Sequence, residues 1–318
     1  MKESAKGIVY DCIVVGAGAA GMAASIYLSR YKLNHLIFGI VPGGQFLDAS
    51  AVENYPGFPS VSGPELATAF RKHVESYGVQ ILPSRVEELR REEGVFALKT
   101  DRGEEFRTRT VILALGAHHR QLEVPGEKEL VGRGVSYCAV CDAPFFKDKT
   151  VAVVGGGDSA VTAAIHLAAF AEKVFIIVRS DQYRAAPHEL AKMRSLGNVE
   201  EILNTTVEGI IGQEAVSGVK LSSPYRGSDT LEVQGIFIEI GLVPASAIAD
   251  SLGVELDANG YVTVDPNMQS SVPGVFAAGD LARLPGAIPF RQIVTAAADG
   301  ARAATGVYQF LRRQPSVS

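Results

Sequence analysis

At 318 residues the chain is long for one hydrophobic core, so two domains are the expectation. Apolar residues make up 47%, charged residues 20%, and the formal net charge is -5, the balance of an ordinary globular protein with no basic stripe for nucleic acid. No apolar run reaches the roughly 18 residues of a membrane span, and the opening stretch MKESAKGIVYD lacks the apolar core of a secretion signal. A cytoplasmic location without membrane attachment is therefore expected. With three cysteines and no secretory context, a disulfide framework is not expected, and the close pair Cys138 and Cys141 reads as redox or metal chemistry.

Residues 10–15 predict a buried strand that runs directly into Gly16-Ala17-Gly18-Ala19-Ala20-Gly21, and an alanine-rich helix follows to about residue 31. In such a strand-turn-helix the first glycine makes the tight turn, the second lets the backbone approach a pyrophosphate, and the third packs helix on strand. The helix N-terminus then faces the phosphates. Dinucleotide folds place an acid at the end of the second strand, about 20 residues on. Here Leu36-Ile37-Phe38-Gly39-Ile40 reads straight through, and the next carboxylate is Asp48, so the adenosine end must be held differently. Residues 95–100 and 105–108 predict a hairpin about Asp101-Arg102-Gly103. An apolar strand at 110–116 then ends in Gly116.

The plan recurs. Residues 150–154 predict a second buried strand, followed by Gly155-Gly156-Gly157-Asp158-Ser159-Ala160 and a helix over 161–170. Residues 235–241 are again an apolar strand ending in glycine, and 229–233 are a candidate counterpart of the first hairpin. The run 274–280 reads as a strand of the first domain, ending in Gly279 and Asp280, and 292–313 as one helix. The expected fold is α/β, with two Rossmann-like (three-layer ββα) nucleotide-binding domains, the second inserted in the first. Residues 1–116 with 246–318 form one domain and 117–245 the other.

Cys138 and Cys141 lie at the spacing where two sulfurs close a small, readily reduced ring at the start of a helix, and helix N-termini favour the thiolate. Thiol–disulfide exchange needs a thiolate to attack and a protonated leaving group to depart, so the adjacent Asp142 is a sensible acid with a raised pKa. Structural zinc wants four ligands, and the third cysteine, Cys12, falls inside the first strand as a small core residue, so no metal site is expected. His118-His119 reads as polar linker, and two unrelated buried thiols are the bland alternative for the pair.

Taken together, the motifs GAGAAG at Gly16, PGGQ at Pro42, VENYPGFP at Val52, GVSYCAVCD at Gly134, GGGDSA at Gly155, GVFAAGD at Gly274 and RQIVTAAADG at Arg291 resemble the low-molecular-weight thioredoxin reductases over nearly the whole chain. The resemblance implies FAD in the first domain, with Gly43, Gly44, Gln45 and Asn54 near it, Asp280 on its ribityl chain, and Arg291 with Gln292 beside the flavin ring. It implies that Cys141 faces the flavin, that Cys138 attacks the thioredoxin disulfide, and that Asp142 supplies the proton. A homodimer and a rotation of one domain against the other come from the resemblance as well.

The electron donor is where the sequence departs from that pattern. NADPH-using relatives carry a histidine and two arginines after the second strand of the second domain, then another arginine, around the 2′-phosphate. This chain has Val178-Arg179-Ser180-Asp181-Gln182-Tyr183-Arg184, which keeps Arg179 and Arg184. The absence of an acid at Val178 argues against NAD preference, and 162–164 lacks the glutamate that relatives carry there. NADPH held by Gly155, Gly157, Asp158, Ser159 and the two arginines is the first reading. A nucleotide-independent reductase fed by ferredoxin, a flavin dithiol oxidase, and a non-enzymatic flavin-binding redox sensor are the alternatives.

Overall fold

The computed structural model describes residues 8–49, 52–92, 94–288 and 290–313; part of the stretch read against a secretion signal lies outside them. The chain forms two compact units, Met1–His118 with Val243–Ser318 and His119–Leu242. The crossings thus fall a few residues from the expected boundaries at 117 and 245. The reason is local: the Gln45 amide donates to the Ala117 carbonyl, and Ala245 N–H donates to Gly116 O at 3.1 Å, which ties both flanks to the first unit.

In the first unit β1 (Val9–Val15), β2 (His35–Phe38), β3 (Ile81–Leu82), β4 (Val86–Glu92), β5 (Val95–Thr100) and β6 (Glu105–Leu113) share one sheet, with α1 (Ala19–Arg30) and α2 (Gly63–Glu75) in the connections. Continuous apolar runs such as Cys12–Val15 are buried because helices cover parallel strands. The expected strands at 105–108 and 110–116 are a single strand, β6. It pairs in parallel with β1 along its length, while its other edge first takes β5 antiparallel. A short strand β7 (Ala117–His119) follows.

The second unit has a parallel sheet of β8 (Val135–Ser136), β9 (Thr150–Val154), β10 (Lys173–Ile177), β11 (Val199–Ile202) and β15 (Gly235–Ile238), in the order β11-β10-β9-β15-β8. Between β11 and β15 lies a separate antiparallel sheet of β12 (Val207–Gly212), β13 (Val216–Tyr225) and β14 (Ser228–Glu232). The candidate strand at 229–233 is therefore the last of three, turned at Arg226-Gly227, whose φ angles of 52° and 88° match a tight hairpin turn. The helices are α3 (Ala139–Asp142), α4 (Asp158–Ala168) and α5 (Pro187–Arg194). α4 starts three residues before the expected 161, directly after Gly157.

Past β16 (Leu242–Pro244), the returning chain forms α6 (Ala247–Ser251), β17 (Val262–Thr263), β18 (Val275–Ala277), β19 (Ala282–Arg283) and α7 (Ile293–Arg313). β18 joins the first sheet on the free half of β6, pairing Val275 with Val111 and Ala277 with Leu113. The strand order β3-β2-β1-β6-β18 then matches β11-β10-β9-β15-β8, the doubly wound arrangement with its switch point beside the first strand. α7 packs on α1 so closely that a Cβ on Gly300 would stand 1.9 Å from Ala20 O.

Candidate functional site

The first unit brings Gly43, Gly44 and Gly279 against the start of α1. Gly16 has φ +113°, and a Cβ there would stand 2.1 Å from Ala114 O; one on Gly21 would stand 1.8 Å from Gly16 O. Gly18 differs: a Cβ there would meet only Gly43 O at 4.0 Å. Gly18 caps α1 without a side-chain hydrogen bond, and the first turn, Ala19, Ala20 and Gly21, contains no acid. The positive helix end is thus left for an anion.

Gly43 N–H donates to Ala17 O at 2.8 Å, and Gly43 and Gly44 hold φ of 118° and 57°, so the second glycine pair lies against the first loop. Asn54 donates to the Gln292 amide oxygen at 3.0 Å. Gly279 has φ 69°, and burial raises the Asp299 carboxyl, opposed by Arg302 and by the nearby Gly279 backbone amide. Burial pushes the Asp280 carboxyl above its ordinary value, opposed by the charge of Arg291, whose guanidinium lies 4.6 Å from the Tyr261 ring centre. At the end of β2 there is no acid: Phe38 is a core residue, and Gly39 abuts Ala17, where a Cβ would come within 2.3 Å. Cys12 is also core, its thiol pushed up to about 12 by burial.

In the second unit Cys138 and Cys141 form a disulfide with Cα atoms 5.3 Å apart. Cys138 is the N-cap of α3, and its Sγ accepts from Cys141 N–H at 3.3 Å. Ser136 Oγ donates to Asp142 Oδ2 at 2.6 Å and accepts from Cys138 N–H at 3.1 Å. Burial raises the Asp142 pKa, and the Ser136 bond partly opposes it. Just before the pair, Tyr137 OH donates to Glu127 Oε1 at 2.8 Å and its ring stacks on His119. Glu127 is fully buried and also accepts from Leu122 and Glu123 N–H at 2.9 and 2.7 Å.

The second glycine loop is built like the first, with one difference. Gly155 has φ +143°, a Cβ on Gly156 would meet Val178 Cγ1 at 2.7 Å, and Gly157 caps α4 beside open space. Asp158, however, puts an acid in the first turn of α4, and its Oδ1 accepts from Ala186 N–H at 2.7 Å. Arg184 N–H donates to Gly156 O at 2.7 Å, so the segment 179–186 folds over the loop. Ser159, Arg179 and Arg184 are exposed, and Val178 is buried against Gly156.

Three functional neighbours escaped the sequence reading: Ser136, the Glu127–Tyr137 pair and Glu239. Ser136 lies inside the motif GVSYCAVCD, but nothing in the sequence marks it as the partner of Asp142. Glu127 and Glu239 do carry a signal, as carboxylates beside a tight Pro-Gly turn and at the end of the apolar run Gly235–Ile238, where a charge needs a partner.

The family model for pyridine nucleotide-disulphide oxidoreductases matches residues 10–301. A thioredoxin reductase of Listeria innocua is 42% identical, covering 95% of this chain and 94% of that protein. A bifunctional thioredoxin reductase/thioredoxin of Mycobacterium leprae is 38% identical over 97% of this chain and 67% of its own length. The crystal structure of thioredoxin reductase from Streptococcus pyogenes superposes with a TM-score of 0.87 at 38% identity, covering 96% of this chain and 99% of that one.

Proposed function

From the premise that the chain belongs to the pyridine nucleotide-disulphide oxidoreductase family, we propose that it is a thioredoxin-disulfide reductase using FAD, with NADPH as electron donor. The observation that carries this reading is the Cys138–Cys141 disulfide at the start of α3, with the Asp142 carboxyl, raised by burial, on the same turn.

The first unit fits FAD. Gly18 leaves room for a pyrophosphate at an uncapped helix end, Gly16 and Gly21 fix the turn, and Gly43 and Gly44 lie against that loop; Gln45, Asn54, Gly116, Asp280, Arg291 and Gln292 would hold the rest of the cofactor. Bound there, FAD supplies two-electron chemistry for reducing the disulfide. The chain's own groups do the rest. Reduced Cys138 attacks one sulfur of the thioredoxin disulfide as a thiolate, Cys141 displaces thioredoxin from the mixed disulfide, and Asp142 provides a proton for a departing sulfur. The products are reduced thioredoxin and the re-formed Cys138–Cys141 disulfide.

NADPH would sit on the Gly155–Gly157 loop with Arg179 and Arg184 toward its 2′-phosphate. One observation favours the second reading, a protein donor such as ferredoxin: Asp158 places negative charge in the turn that would face the nucleotide phosphates. Anaerobic titration of the FAD-loaded protein separates the two. Bleaching of the flavin by NADPH, followed by turnover on thioredoxin, is expected. No bleaching by NADPH or NADH, with turnover on reduced ferredoxin, overturns the nucleotide donor. Cys138→Ser should keep flavin reduction and lose thioredoxin reduction; continued turnover contradicts the assigned nucleophile. The expected assembly is a homodimer, tested by sedimentation velocity.

A further inference from the structure

Glu239 stands one residue past β15. β15 and β8 run in parallel with Ile236 opposite Val135 and Phe237 opposite Ser136. Two residues further along each chain stand Glu239 and Cys138. The backbone N–H of Ala139, between the two cysteines, interacts with the Glu239 carboxyl. The main chain of Glu239 is fixed: its N–H donates to Val154 O at 2.9 Å, and its carbonyl oxygen is 2.3 Å from where a Cβ on Gly155 would be. With the main chain fixed there, the carboxyl lies within reach of the Ala139 N–H in the first turn of α3.

We propose that Glu239 is a positioning residue of the Cys138–Cys141 turn, holding a proton whose presence is coupled to thiolate formation at Cys138. Its role presupposes disulfide exchange at the pair.

Burial pushes the Glu239 carboxyl up to about 7, and the Ala139 N–H opposes the shift. The titratable or charged groups on the surrounding elements are Cys141 and Asp142 of α3, Cys138 at its N-cap, Asp158 at the start of α4, and Arg120, whose N–H donates to Gly241 O. Near neutral pH Glu239 can thus exist in either form. Two-electron reduction of the disulfide gives two sulfurs that take up two protons as a dithiol, or one as a thiol and thiolate. A thiolate at Cys138 beside a Glu239 carboxylate places like charges together, which disfavours both. The proton on Glu239 removes that repulsion, so Cys138 becomes a better nucleophile when Glu239 is protonated.

The test uses the FAD-loaded protein reduced with dithiothreitol, with iodoacetamide labelling of Cys138 followed by mass spectrometry from acid to alkaline pH. In Glu239→Gln, which keeps the shape and can still accept from Ala139, the thiolate should appear at lower pH. Labelling near neutrality should be faster by roughly three- to tenfold. Glu239→Asp, which keeps the carboxyl, should label more like the wild type than Glu239→Gln. Superimposable profiles for Glu239→Gln and the wild type overturn the role of Glu239 and leave thioredoxin reduction standing. A pair that dithiothreitol cannot reduce overturns both.

Discussion

Ser136 Oγ donates to Asp142 Oδ2 at 2.6 Å, and this bond joins the last residue of β8 to the last residue of α3, with the redox pair between them in the chain. It stabilises the charged carboxylate against the burial that favours the neutral acid. Ser136→Ala should therefore raise the Asp142 pKa further. If Asp142 acts as the acid, the alkaline limb of thioredoxin reduction moves to higher pH, by about one unit. Asp142→Asn should lower turnover by about a hundredfold. A pH profile that is the same with and without Ser136 contradicts the coupling.

The two glycines at the start of α1 should respond differently to a methyl group. Gly18→Ala meets open space, and its φ of -78° suits alanine, so the apoprotein should lose less than about 0.5 kcal/mol while retaining less FAD. Gly21→Ala drives its Cβ into Gly16 O and should lose about 4 kcal/mol or fail to fold. Thermal unfolding of the apoprotein and the flavin-to-protein absorbance ratio separate stability from binding. Equal flavin retention in Gly18→Ala and the wild type would show that the space beside Gly18 is not used.

Glu127 holds two backbone N–H groups and the Tyr137 phenol in a fully buried place. Removing one partner should be milder than removing the acceptor itself. Tyr137→Phe should reduce stability by about 1 kcal/mol, and Glu127→Ala by about 3 kcal/mol, because the latter leaves buried donors unpaired. Denaturant unfolding measures both. A larger loss for Tyr137→Phe than for Glu127→Ala would contradict this ordering.

The stability of Glu239 variants should depend on pH with a definite sign. The folded-state carboxyl is raised from 4.5 to about 7, so burial favours the neutral acid. That contribution is present below pH 4.5 and is lost as pH rises through about 7. Glu239→Gln should match the wild type at the acid end and be more stable at the alkaline end, by at most about 2 kcal/mol after allowing for partial exposure. Unfolding midpoints across that range check it, and a constant offset would contradict a titrating Glu239.

The glycine loops were legible in the sequence because strand, turn and helix follow one another directly, so the spacing of Gly16, Gly18 and Gly21 could be read within a dozen residues, although the Ala114 carbonyl that also excludes a side chain at Gly16 could not. Asp142 was legible because it adjoins the cysteines. Glu239 stood out only as a carboxylate closing an apolar run; its link to the pair was not legible, since 98 positions separate it from Cys141 and only the β8–β15 register brings it alongside. The single strand β6 was misread as two for a related reason. Its exposed-looking first half and buried second half differ because the partners on one edge change from β5 to β18, and periodicity along one segment carries no record of who lies beside it.

That shared edge also orders events during synthesis. Until Ala277 has left the ribosome, the half of β6 from Val111 to Leu113 has no β18 to pair with, whereas His119–Leu242 is already a complete continuous unit. The inserted unit should therefore mature first, while the nascent chain carries an open strand edge of the kind that recruits other chains. Fragments ending before Val275 should aggregate, although both glycine loops, at Gly16 and Gly155, are present in them.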